Sequence, residues 1–284
     1  IQKWLKKNNN NDVILSDKLD GISIIAKYDN NSNITLYTRG NGEYGLDITK
    51  ILKYIKNIPF NLSNLIIRGE LIMKKSIFNK KYKNKFENAR NLVSGMSLKK
   101  TPNKDILEDI DIVWYNVYYP ENLKYSEQLK LLSSNNFTTV PNTIIDINNL
   151  NTINQDSLTE YFKERLLNSE YQIDGIVLQC DNIIINEFKN PSNAIAFKTS
   201  LYSETKNVIV KKIEWNISKY GYLIPKVVIE PTKLNEVTIK YISGNNAKNI
   251  LDNKIGKDSV IQIIRSGDVI PFITKSCSTK NLIL

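Results

Sequence analysis

Lys18-Leu19-Asp20-Gly21 places a lysine two residues ahead of an Asp-Gly, inside a run of strand-forming residues. Successive side chains of a strand point to opposite faces, so Lys18 and Asp20 share one. A lysine nucleophile on a rigid element, with a carboxylate on the same face, suits covalent group transfer. Gly21 lacks a side chain and reads as a place where a ligand approaches the backbone. By average composition, K-x-D-G arises by chance in roughly one chain in ten of this size, so its weight comes from its company. That company is Thr38-Arg39-Gly40, Arg68-Gly69-Glu70, Ile173-Asp174-Gly175 and Ala196-Phe197-Lys198.

Hydrophobic spacing indicates the elements that must hold these residues. Ile1–Lys7 reads as a helix, and Val13–Tyr28 as two strands meeting at a bend at Gly21. Ile34–Arg39 reads as a strand and Gly40-Asn41-Gly42 as a tight turn. Asp47 is placed to cap a helix over Ile48–Lys56, which Pro59 ends. Leu65–Met73 alternates around Glu70 as a strand, and Lys75–Ser97 is basic and mostly helical. Asp111–Tyr119, Asp174–Cys180 and Ala194–Thr199 read as strands, Ser126–Ser134 and Ser157–Leu167 as amphipathic helices. From Thr205 the pattern changes to short strands at Asn207–Ser218, Gly221–Ile229, Glu236–Tyr241 and Asp258–Ile264, with a helical stretch around Asn245–Leu251. Five short strands with an inserted helix is the plan of an OB-fold. The expected architecture is an α+β domain over 1–200 followed by an all-β OB-fold domain over 201–284.

Composition removes several chemistries. The 284 residues include no histidine and two cysteines, Cys180 and Cys277. Cys/His zinc sites, Ser-His-Asp triads and Cys-His dyads are therefore excluded within the chain, and no metal ligands are assigned. Acid–base work falls to Asp, Glu, Lys or Tyr. Two cysteines without a framework suit a reducing, intracellular compartment. No apolar run is long enough to span a membrane, and the N-terminal segment lacks a signal-peptide core. The formal charge of +10 points to a polyanionic partner, with nucleic acid first. The chain starts with Ile, which reads as a piece of something longer.

Together the motifs resemble the NAD-dependent DNA ligases of bacteria and large DNA viruses. Ser16–Gly21 resembles that family's nucleophile motif, and Leu36–Asp47 (LYTRGNGEYGLD) its T-R-G-(D/N)-G-x-x-G run. Ile67–Leu71, Asn88–Leu98, Gln172–Leu178 and Ala194–Lys198 are similar to its R-G-E, N-x-R-N…G-S-L, D-I-D-G-V-V-I and A-V-A-F-K segments. Gly221–Pro231 and Arg265–Pro271 (RSGDVIP) resemble its OB-fold motifs. The resemblance runs in order from Ile14 to Ile273. It implies a nucleotidyltransferase (adenylation) domain plus OB-fold core that forms lysyl-AMP from NAD+, uses Mg2+, and seals single-strand nicks in duplex DNA, as a monomer. It makes Lys18 the nucleophile and gives Asp20 a role in strand joining. Arg39 and Glu70 would bind ribose and nucleotide, Tyr115 adenine, and Lys198 the AMP phosphate. Arg90, Lys99, Lys219 and Arg265 would contact the DNA backbone.

Two positions depart from the family pattern. Ser16 stands where the family has the Glu that reads the adenine amino group, and adjacent Asp17 faces the other way by alternation. Gln179 stands where it has a Lys near the AMP phosphate. Losing one charge-assisted contact costs about 1.5–3 kcal/mol, roughly tenfold to a hundredfold in rate. The family's N-terminal nicotinamide-gripping domain and its zinc-finger, helix-hairpin-helix and BRCT regions find no counterpart in the motifs. Two alternatives stay open: another lysine nucleotidyltransferase (ATP-dependent DNA or RNA ligase, capping enzyme), and a nick-binding module with weakened catalysis.

Overall fold

The computed structural model describes the chain apart from residues 9, 41–43, 184–191, 199–204, 235–236, 267–269 and 277–284. The chain divides into two compact units, Ile1–Phe197 and Lys198–Leu284. The boundary expected near residue 201, and residues 41 and 42 of the turn expected at 40–42, fall outside the described residues.

The first unit contains two four-stranded antiparallel sheets. Its strands are β1 (Val13–Leu19), β2 (Ile22–Tyr28), β3 (Ile34–Thr38), β4 (Leu65–Met73), β5 (Ile110–Tyr119), β6 (Asn142–Ile145), β7 (Ile173–Cys180) and β8 (Ala194–Phe197). Its helices are α1 (Gln2–Lys7), α2 (Lys75–Lys81), α3 (Ala89–Leu98), α4 (Lys104–Leu107), α5 (Tyr125–Ser134) and α6 (Gln155–Asn168). One sheet runs β6-β1-β7-β8, the other β3-β2-β4-β5. The chain passes between them at Asp20-Gly21. A Cβ on Gly21 would overlap the Leu71 carbonyl oxygen and lie 2.8 Å from Glu70 Cγ. β4 therefore passes close against this glycine, which has no side chain to hold it off.

Alternation sorts the residues of β4. Ile67, Leu71 and Met73 join a core with Ile24, Ala26, Leu36 and Trp114. Arg68, Glu70 and Ile72 take the other face, where Ile72 packs with Ile14, Val113, Tyr125 and Ile173 beneath the first sheet. The helix expected over Ile48–Lys56 is a 3-10 turn, Thr49–Tyr54. Its buried anchors Ile48, Ile51, Ile55 and Ile58 are spaced mostly by three, which suits a 3-10 geometry. The basic stretch Lys75–Ser97, expected to be mostly helical, holds two helices, α2 and α3. α3 starts afresh at Asn88, whose side chain accepts from the Asn91 N–H at 2.8 Å.

The second unit comprises β9 (Thr205–Ile217), β10 (Leu223–Leu234), β11 (Val237–Ser243), α7 (Ala247–Asp252), β12 (Val260–Ser266) and β13 (Ile270–Ser276). The antiparallel order is β11-β10-β9-β12-β13, with β13 returning beside β11. Val208, Val210, Val227, Ile229, Ile261 and Ile263 fill the curled sheet. This is the five-stranded OB-fold plan. Among the described residues no helix is long and apolar enough to cross a membrane.

α6 lies behind β1, where Arg165 donates to both oxygens of Asp17 at 2.8 and 2.9 Å. The Asp17 side chain is fully buried. Removing one partner of such a pair strands a charge in low dielectric, whereas replacing both restores an apolar contact. Arg165→Met should therefore cost about 3–5 kcal/mol in urea unfolding, and Asp17→Leu/Arg165→Met should recover most of it. Equal losses in the single and double variants would contradict this account of the pair.

Candidate active site

Lys18 sits near the end of β1, and its Nζ lies 2.8 Å from Asp174 Oδ1 on β7. A register slip makes this contact. β1 and β7 pair regularly from Val13↔Cys180 to Lys18↔Gly175, and the next pair is Leu19↔Ile173. Asp174 is the extra residue of a β-bulge. In unbroken register it would oppose Leu19, on the face away from Lys18; the bulge re-aims it. The Lys18 side chain stays 31% exposed beside the nearly buried Asp174.

Two further carboxylates stand near this pair. Asp20 is buried and accepts from Arg90 Nη1 at 2.7 Å, which draws α3 to the junction of the sheets. Burial pushes the Asp20 pKa up, and the Arg90 hydrogen bond and charge oppose the rise. Glu70 arrives from β4 across Gly21. Desolvation lifts its pKa to about 7, opposed in turn by the Tyr115 hydrogen bond and by Arg90, Arg68 and Lys18. Tyr115 donates its hydroxyl proton to Glu70 Oε2 at 3.1 Å.

Tyr115 is also placed by a bulge. β4 and β5 pair Arg68↔Asn116 and then Gly69↔Trp114, leaving Tyr115 as the extra residue; Tyr118 is extra between Asn116-Val117 and Tyr119. Plain alternation would put Asn116 on the core face with Trp114. The slip turns Val117 into the core instead and gives Asn116 to Gln128, at 2.9 Å. Gly69 completes the arrangement, since a Cβ there would meet Trp114 and the Val113 carbonyl, each at 2.8 Å.

The remaining candidates divide by position. Ser16 shares the Lys18 face, is buried, and lies near the Tyr125 hydroxyl. Gln179 is buried on the same face, opposite Ile14. Arg39 is exposed just past β3, and its backbone N–H donates to the Ser23 carbonyl. Lys198 directly follows β8, is exposed, and falls in the second compact unit. Lys99 ends α3, with its carbonyl accepting from Lys50. Lys219 lies exposed in the β9–β10 hairpin, its ammonium 4.7 Å from the Tyr220 ring centroid. Arg265 pairs with Pro271 on β13, and its side chain is outside the described residues. Lys18, Asp20, Glu70 and Tyr115 are thus brought together. Arg90, expected at the DNA backbone, is bonded to Asp20.

Sequence reasoning gave no role to Asp174 or Arg68. Both lie in motifs that were noticed, but alternation alone does not reveal the bulges that turn Asp174 to Lys18 and Tyr115 to Arg68.

Asp20 and Asp174 are hard oxygen donors close enough to influence one another electrostatically. Magnesium takes one or two carboxylates plus substrate phosphates, so this donor set fits it.

The sequence family model for the NAD-dependent DNA ligase adenylation domain matches residues 1–201, and that for the NAD-dependent DNA ligase OB-fold domain matches residues 207–282. A DNA ligase of Acanthamoeba polyphaga mimivirus is 40% identical over 96% of this chain and 42% of its own length. Putative DNA ligase 205R of Invertebrate iridescent virus 6 is 35% identical over 96% of this chain and 45% of its own length. DNA ligase 2 of Clostridium acetobutylicum is 30% identical over 92% of this chain and 40% of its own length. The chain therefore spans less than half the length of these relatives. Among solved structures, Pmar-Lig_PreS3 shares the fold at a TM-score of 0.63 and 12% identity, over 96% of this chain and 65% of that one. Matched along nearly its whole length in both units, the chain belongs to the NAD-dependent DNA ligase family, of which it carries an adenylation domain followed by an OB-fold domain.

Proposed function

We propose that the chain is a ligase core that takes AMP from NAD+ onto Lys18 and uses it to seal nicks in duplex DNA. The observation that carries this reading is the 2.8 Å contact between Lys18 and the bulge-aimed Asp174. A lysine attacks as the free amine. Asp174 holds Nζ in place and is positioned to accept the proton it releases. Nζ attacks the α-phosphorus of NAD+, forming a P–N bond as the pyrophosphate bond breaks and nicotinamide mononucleotide leaves. The AMP then passes to the 5′-phosphate of a nick, and the 3′-hydroxyl displaces it. Both displacements need positive charge on phosphate oxygens. Arg39 and Lys198 belong to that task in this reading, and Mg2+ held by Asp20 or Asp174 would add to it. Glu70 accepts a ribose hydroxyl, Tyr115 and Ser16 line the nucleoside, and Gln179 stands by the AMP phosphate. Lys99, Lys219 and Arg265 meet DNA phosphates, while Arg90 holds Asp20.

Lys18→Ala should abolish the AMP mass adduct after incubation with NAD+ and Mg2+ and leave the melting temperature near that of the parent, because the side chain is partly exposed and outside the core. An adduct of undiminished yield in the variant would remove the nucleophile assignment.

Glu70 gives the pH dependence its sign. Its pKa is raised to about 7, so the carboxylate gains its full acceptor charge only as pH rises through that value. AMP binding measured by calorimetry should therefore strengthen between pH 6 and about pH 8. Glu70→Gln should flatten the part of the rise that the AMP phosphate itself does not explain; an unaltered profile would count against this role.

The OB-fold contacts are tested by salt. If Lys219 and Arg265 each neutralise one phosphate, Lys219→Ala/Arg265→Ala should make the log–log salt slope of nicked-duplex binding shallower by about 1.8. An unchanged slope would take the OB-fold contacts off the DNA surface.

A further inference from the structure

The Glu70 carboxylate is the end of a hydrogen-bond chain whose direction its two termini fix. Arg68 Nε donates to Ser23 Oγ at 3.0 Å. Ser23 Oγ lies 3.0 Å from Tyr115 Oη. Tyr115 Oη lies 3.1 Å from Glu70 Oε2. A guanidinium only donates, and an ionised carboxylate only accepts. Tyr115 has one hydroxyl proton, which goes to Glu70, so Tyr115 must accept from Ser23. Ser23 is then donor to Tyr115 and acceptor from Arg68. Every bond runs toward Glu70, and successive bonds polarise one another in the same sense.

The geometry around Arg68 is equally built. Its guanidinium carbon stands 5.7 Å from the Tyr115 ring centroid, and its Nη1 donates to the Tyr118 hydroxyl at 3.3 Å. Both tyrosines are the extra residues of the β5 bulges. Ser23 is directly opposite Glu70 in the β2–β4 register. Three residues on three adjacent strands thus act through the one bond that Tyr115 makes to Oε2, with Tyr118 bracing Arg68. Among the described residues no hydrogen bond reaches the other oxygen, Oε1.

We propose that Arg68 and Ser23 are positioning residues for nucleotide capture, the anchor and relay of a one-directional chain that fixes Glu70 by Oε2 and presents Oε1 to a ribose hydroxyl. Neither needs to touch the nucleotide. The proposal rests on the lysyl-AMP reading above and extends it to residues that lie behind the contact surface.

The chain also supports the charge of Glu70. The groups facing that carboxylate are Tyr115 from β5, Arg90 from α3, Lys18 from β1 and Arg68 on its own strand; each favours the ionised form against desolvation. Interrupting the chain therefore moves the Glu70 titration to higher pH. A residue that merely supported the fold would lower the melting temperature without moving that titration.

The test compares the parent with Ser23→Ala, Tyr115→Phe and Arg68→Gln, using AMP as the probe. Calorimetric binding is followed from pH 6 to about pH 9, with a melting curve for each protein. Ser23→Ala removes one hydroxyl and keeps Arg68, Tyr115 and Glu70 in place. It should weaken AMP binding at neutral pH by roughly two- to tenfold and shift the rise in binding to higher pH. Tyr115→Phe, which deprives Glu70 of its last donor, should do the same more strongly. Should Arg68→Gln fail to fold, these two variants decide. Wild-type affinity and an unmoved pH profile in Ser23→Ala and Tyr115→Phe would overturn the chain while leaving the lysyl-AMP reading intact. A parent that neither binds AMP nor acquires an AMP adduct would overturn both.

Discussion

The bond between Lys18 and Asp174 depends on one extra residue in β7. Remove that bulge and Asp174 turns to the far side of the sheet, leaving Lys18 a strand lysine with no carboxylate at 2.8 Å. The same device recurs on β5, where two extra residues turn Tyr115 and Tyr118 toward Arg68 and let Val117 into the core. A strand in regular register offers one residue in two to each face. A site that needs neighbouring residues on one face needs the ladder broken, and bulges break it at a defined place.

Gly21 supplies the second constraint. Lys18 and Asp20 lie on one side of the bend and Glu70 on a different sheet, so the site exists only because β4 can pass against a residue with no side chain. The charges then balance locally. Lys18 meets Asp174, Arg90 meets Asp20, and Glu70 receives a neutral hydroxyl with cations further off.

Much of this was legible in the residues. Leu65–Met73 was read with its observed bounds because it alternates cleanly between a core face and a polar face. The OB-fold was legible because its runs of β-branched residues are short and separated by turn residues. Other features were not. Asn142–Ile145 is a short, mostly exposed edge strand with no buried face to produce a pattern, and it was missed. The 3-10 turn at Thr49–Tyr54 was read as a helix because spacing by three and by four overlaps over so few residues. Arg90 is expected at the DNA backbone, and a basic helix does not reveal that one of its cations is also bonded to Asp20. Asp174 and Arg68 stood in recognised motifs without a role, because a slip of one residue in a ladder leaves no mark on composition or periodicity.

The central claim is that nucleotide transfer runs through the one lysine that the β7 bulge pairs with a carboxylate. The most direct measurement is the attachment site itself, mapped by tandem mass spectrometry of a proteolytic digest after incubation with NAD+ and Mg2+. The expected result is AMP on the peptide carrying Lys18, bound to Nζ as an acid-labile phosphoramidate. AMP on a different lysine, or on an oxygen through an acid-stable ester, would contradict the account.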